Sequence, residues 1–413
     1  MRLTRLIVAG SRHRGSGDLD RGSECAESRS RTRSTGGRRL PPPRISLMVV
    51  AATAVITAGG AAAAPLTSAA SSAGSSTPTA ATSADDWSEL YPALAPLPRD
   101  SAEVAYDAAT KTVVVSGGEA SCGPIGREVY QDTWSWDGLA WTEVATNAPP
   151  VFGKPAAYDG ATQTFDVVWY PGCGDGPATS QWNGQSWGAG EGGGSAEDAE
   201  TVWPDDNGAM AYDPATQTLV LWSPTSPINP DMSPSTSPNE STTWSWAGSA
   251  WNLLSPAVSP PPVVGDSDDV QMAYDAATSQ VLLYGEHSQA MWAWNGSDWS
   301  QIPSTGGPSP RVGASMVYDA ALGQVLLFGG NAATGFQPRS ASQDESFTLG
   351  SPLNDLWAWG GSAWKQLHPA ASPPARFYAQ MAYDDATGQV VLFGGSVNTV
   401  ADIADTWVYG PPA

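Results

Sequence analysis

The chain has 413 residues, 41% hydrophobic and 15% charged. That is apolar enough to build a core, so wholesale disorder is excluded. Formal net charge is −22, and from residue 45 onward it is −29, eight basic residues against 37 acidic. A body that acidic excludes a nucleic acid held by counterion release and is not drawn to an anionic membrane surface.

Residues 1–44 are rich in Arg, Ser and Gly and show no apolar periodicity. Ile45–Ala64 follows without a charge, behind Arg38, Arg39 and Arg44. A positive flank, an apolar run and small residues at its end describe a bacterial secretory signal, with cleavage near Ala64. The run is also long enough to span a bilayer, so a membrane is a partner only if the leader stays as an anchor. Either way the body is expected outside the cytoplasmic membrane, secreted or on the cell envelope. Residues 65–84 are a Ser/Thr/Ala/Pro linker. The expected organisation is therefore leader 1–64, linker 65–84 and folded body 85–413.

The body repeats. Tyr-Asp occurs at Tyr106-Asp107, Tyr158-Asp159, Tyr212-Asp213, Tyr274-Asp275, Tyr318-Asp319 and Tyr383-Asp384. An Ala/Thr-rich turn and a β-branched run follow each pair, as in VVVSGG (113–118), VLLFGG (325–330) and VVLFGG (390–395). After a variable loop comes W-x-W-x-G-x-x-W, as at Trp134/Trp136/Trp141 and Trp292/Trp294/Trp299. In the second unit Ser180 stands where the first Trp should be. Each unit predicts four antiparallel strands: a ending at Tyr-Asp, b the aliphatic run, c the W-x-W pair, d from the last Trp. Asp-Gly and Asn-Gly between c and d predict tight hairpins with both central residues at φ > 0.

The last unit ends at Trp407-Val-Tyr409-Gly410-Pro-Pro-Ala without a strand d. Trp87 lies 19 residues before Tyr106, the spacing also found from Trp299 to Tyr318 and from Trp364 to Tyr383. The N-terminal segment is expected to pair as the missing strand and close a ring, leaving no free radial edge. These units resemble kelch repeats, the family of the galactose oxidase central domain. The resemblance implies an all-β fold, a six-bladed β-propeller of four-stranded repeats.

Antiparallel order gathers the b–c and d–a connections on one face, and that face holds the long insertions. Arg99, Arg311 and Arg376 stand seven residues before Tyr in three neighbouring blades. They are candidate ligand contacts for a carboxylate or polar glycan. The resemblance implies a structural alternative, because an arginine here in kelch repeats often bonds neighbouring backbone. Trp203, before the third blade, is a further candidate contact. Cys122 and Cys173 fall in b–c loops of adjacent blades, and an exported chain meets an oxidising compartment, so a Cys122–Cys173 disulfide is expected.

The leading expectation is a monomeric, non-catalytic propeller that binds a glycan, peptide or partner protein through this face. No cofactor, metal or catalytic residue is assigned. The alternative is a sugar-modifying enzyme, mutarotase-like or, less well supported, copper oxidase-like. A galactose oxidase-like copper site would need two histidines and a Tyr–Cys crosslink. The body has His287 and His368 but no tyrosine partner that can be assigned to either cysteine.

Overall fold

The computed structural model describes residues 85–121, 126–169, 178–190, 204, 208–224, 241–261, 270–285, 289–304, 306–334, 348–398 and 401–411. All belong to the compact unit Ser83–Ala413. The leader and linker calls fall outside the described residues.

The described residues form an all-β, propeller-like repeat built on six four-stranded antiparallel sheets. Sheet 1 holds Glu103–Asp107, Thr112–Ser116, Thr133–Trp136 and Trp141–Ala145, paired in that order. Sheet 2 holds Ala156–Asp159, Thr164–Trp169, Ala178–Trp182 and Trp187–Gly190. Sheet 3 holds Ala209–Asp213, Thr218–Ser223, Thr242–Trp246 and Trp251–Leu253. Sheet 4 holds Val270–Asp275, Gln280–Gly285, Ala290–Trp294 and Trp299–Ile302. Sheet 5 holds Ser315–Asp319, Gln324–Phe328, Leu356–Trp359 and Trp364–Leu367. Sheet 6 holds Gln380–Asp384, Gln389–Phe393 and Thr406–Gly410, and its outer strand is Asp86–Leu90 from the other end of the body. Trp87 there sits opposite Tyr409. The a strands touch one another in the order 1-2-3-4-5-6 and back to 1.

The Tyr-Asp pair makes the a–b turn. Asp107 Oδ1 accepts the backbone N–H of Ala109 at 2.9 Å and of Thr110 at 3.2 Å. Asp159, Asp319 and Asp384 accept the equivalent pairs of N–H groups. A side-chain acceptor two residues back satisfies backbone donors that the turn would otherwise strand. The c–d connection differs from the sequence expectation. It spans four residues between paired tryptophans, as in Trp136↔Trp141. Only its glycine takes φ > 0, at 92° for Gly138 and 85° for Gly184. The preceding Asp or Asn stays at negative φ because its Oδ1 caps the turn, Asn183 accepting from Gln185 and Ser186.

The tryptophans form the inter-sheet core. Trp136–Trp141, Trp246–Trp251, Trp294–Trp299 and Trp359–Trp364 pack as tilted ring pairs 5.3–5.5 Å apart. Such a pair adds about 0.5–1.5 kcal/mol beyond its buried area. The last Trp of one unit also reaches the preceding sheet. Trp141, Trp187, Trp251 and Trp299 donate their indole N–H to Thr406, Thr133, Thr179 and Thr243. In each case the threonine directly precedes the first W-x-W position of the neighbour. At the two remaining joints that column holds Met291 and Leu356, and there the indole nitrogens of Trp364 and Trp87 find no partner. Thr406→Val, close in shape, should strand the Trp141 donor and cost about 1–2 kcal/mol. A urea midpoint unchanged from wild type would show that this bond contributes nothing net.

Candidate functional site

After strand b of sheets 1, 5 and 6 comes a Gly-Gly pair, then a β-hairpin where the sequence suggested only loop. These hairpins are Glu119–Ser121 with Arg127–Val129, Asn331–Thr334 with Thr348–Pro352, and Ser396–Asn398 with Ala401–Asp402. The three candidate arginines sit at their necks, each 0% exposed. Arg99 binds both carboxylate oxygens of Asp132, at 2.5 and 2.8 Å, and gives further donors to the carbonyls of Gly117 and Leu97. Arg311 treats Asp355, Gly329 and Ser309 in the same way. Arg376 does so with Asp405, Gly394 and Pro374. The first Trp of each W-x-W stretch completes the unit, Trp134, Trp357 and Trp407 donating to the same aspartates.

This is a forked, charge-assisted clamp that fastens a hairpin neck to the strand-a approach. Burial opposes charge on Asp132, but the Arg99 guanidinium and the Trp134 indole outweigh it and hold the carboxyl below its ordinary range. Asp355 is held low in the same way by Arg311 and Trp357. The glycine pair permits the close approach. A Cβ on Gly394, at φ 70°, would lie 2.7 Å from the Arg99 carbonyl oxygen, and Gly395 N–H donates to that same oxygen. Each arginine closes its fork on an aspartate of its own sheet.

The axis of the a strands holds a separate feature, a cavity of about 150 Å³. Its wall comes from the first residues of strand a and the residues just before them, so it opens toward the d–a and b–c connections. Residues three before each Tyr contribute Glu103, Gln271 and Gln380, and residues two before each Tyr contribute Met210, Met272, Met316 and Met381. None of Arg99, Arg311 and Arg376 lines it. Glu103 is 6% exposed and its carboxylate accepts the backbone N–H of Lys154 at 2.6 Å.

A backbone collar frames the cavity. Gly153 N–H donates to Ser101 O, Ser101 N–H to Tyr378 O, and Tyr378 N–H to Gly313 O, at 2.7–3.0 Å. All four residues are left-handed, at φ 58°, 52°, 56° and 66°. Glycine adopts this freely, whereas Ser101 and Tyr378 are held there at a cost of about 1–3 kcal/mol each. The Tyr378 ring covers Gly313, where a Cβ would come within 2.4 Å of it.

Trp203, Cys122, Cys173 and His287 lie outside the described residues. His368 is exposed on the segment leading into sheet 6. Sequence reasoning missed the axial residues. The available signal was a fixed offset from Tyr-Asp at which Glu, Pro, Ala, Gln, Ser and Gln replace one another while the flanking pattern holds.

These features define a propeller-like β-repeat protein with a polar axial pocket. No family model matches the chain, and no curated protein matches it in sequence. Among solved structures it is similar to that of YjhT, at TM-score 0.50 and 12% identity over 76% of this chain and 95% of that one. A protein of unknown function from Dyadobacter fermentans is matched at TM-score 0.44 and 10% identity, over 79% of this chain and 98% of that one.

Proposed function

We propose that the body is a six-bladed, kelch-like propeller closed by its first strand, and that it works outside the cytoplasmic membrane as a non-catalytic binding module. The pairing of Asp86–Leu90 with Thr406–Gly410 and the cyclic contacts of the a strands support closure. The likeness to YjhT, a kelch-type propeller, supports the fold. The ligand in this reading is a glycan, with a peptide or partner protein as the wider class, taken at the axial pocket on the b–c/d–a face. The observation that carries it is the collar: two non-glycine residues, Ser101 and Tyr378, are locked left-handed beside a polar cavity. Strain of this kind persists where the surroundings over-determine it, and it clusters at sites that must be rigid before a ligand arrives.

The test is a glycan and cell-wall-fragment array probed with the purified chain, then repeated with Tyr378→Ala. A hit that weakens about tenfold or more in the variant supports the reading. A hit indifferent to Tyr378→Ala moves the ligand off the axis, and chemical turnover of a bound sugar would replace the binding module by a sugar-modifying enzyme.

A further inference from the structure

We propose that the axial pocket selects an electrically neutral, polyhydroxylated ring, an uncharged pyranoside, and discriminates against the anionic form of the same ring. This inference rests on the binding reading above and narrows it.

Charge is the first argument. A carboxylate is held most strongly by a cation whose donors face the ligand, and a forked guanidinium does this best. The three arginines nearest this face have their forks closed on Asp132, Asp355 and Asp405 and do not line the cavity. The described lining carries one acid and one base, Glu103 and Lys154, which are joined through the Lys154 backbone N–H. The lining therefore has no excess positive charge, and the body around it is strongly acidic. An anion entering would lose hydration against a lining whose single lysine is balanced by Glu103 and which offers no arginine fork.

Hydrogen-bond chemistry is the second. The carboxamides of Gln271 and Gln380 are half-buried at the wall and make no side-chain hydrogen bond among the described residues. A carboxamide offers two donors and two acceptor sites, which matches hydroxyls that both give and take. The neighbouring Met210, Met272, Met316 and Met381 are buried in the inter-sheet cores, so the wall that the pocket presents is almost wholly polar. A pyranose presents such hydroxyls around its edge. The small cavity suits one ring rather than a chain.

The experiment uses the full chain and methyl glycosides of gluco, galacto and manno configuration. Each is supplied neutral, as the hexuronide and as the 2-amino sugar, and binding is followed by ligand-observed NMR and calorimetry. A neutral glycoside is expected to bind at least about tenfold more tightly than its hexuronide. Gln271→Leu and Gln380→Leu should each weaken the neutral ligand severalfold while leaving the melting temperature in place. Gln380→Arg should raise affinity for the hexuronide, a gain that a structural role would not produce. A hexuronide or 2-amino sugar that binds as tightly as the neutral ring, and is lost in Gln271→Leu, overturns the charge inference and leaves the axial binding reading standing. Failure of every glycoside to bind overturns that reading itself.

Discussion

Arg376→Ala is expected to lower the stability of the body by about 3 kcal/mol or more, because it leaves Asp405 beside a buried, unfilled hole. Arg376 is 0% exposed, while Asp405 keeps 20% of its side chain in solvent, which places the loss toward the lower end for buried pairs. Three bonds to main-chain and carboxylate oxygens on the Nη1 and Nε side vanish together. Arg376→Lys should recover little, since an ammonium cannot reproduce the fork. The double variant Arg376→Ala/Asp405→Ala should be less harmed than the sum of its parts, because no lone carboxylate remains. Urea denaturation of wild type, Arg376→Ala, Arg376→Lys, Asp405→Ala and the double variant measures this. Wild-type stability in Arg376→Ala would overturn the clamp, and loss of ligand binding from the folded variant would return this arginine to the binding site.

The second large effect is one of pH, and it centres on Asp166 in strand b of sheet 2. The equivalent residue in the other five sheets is Val114, Val220, Leu282, Leu326 or Val391. Asp166 is fully buried, accepts one bond from Gln181 at 2.9 Å, and its Oδ1 has no partner. Burial is the main cause that pushes its carboxyl up to about 6, against the hydrogen bond from Gln181. A folded-state value above the unfolded one means the native state holds the proton more tightly. The stabilisation is complete below about pH 4 and is lost as pH rises through about 6. At pH 7 the loss is on the order of 3 kcal/mol. Asp132 and Asp355 run the other way, since their carboxyls are held low and their contribution is lost as pH falls below about 4. Asp166→Asn should therefore gain stability over wild type at pH 7 and little at pH 4. Equal gains at both pH values would mean that the Asp166 proton does not control the stability of sheet 2.

The architecture was legible in the residues because the propeller repeats its own solution. Six Tyr-Asp turns, six aliphatic runs and the W-x-W stretches each satisfy a local requirement, and each requirement leaves a mark at a constant offset. Even the outer strand of sheet 6 could be placed from Trp87 through the 19-residue spacing. The hairpin necks were not legible, since Arg99 lies 33 residues from Asp132 and Arg311 lies 44 from Asp355. An arginine whose partner is that remote reads equally well as a ligand contact or as a clamp until the distance is seen. Sheet 2 shows the same limit. Trp169 donates to Ser180 where the motif Trp is missing, an exchange between strands that no local pattern announces.

What the chain determined by itself is its alternation of turn, strand and tryptophan, because backbone capping and period-two burial act over a few residues. Which guanidinium is spent on a carboxylate, which glutamines face the axis, and where serine and tyrosine are held left-handed were decided only by the tertiary structure. Those outcomes depend on which distant segments meet, and the cost of burying a charge or straining a backbone is set by the neighbours that meet there.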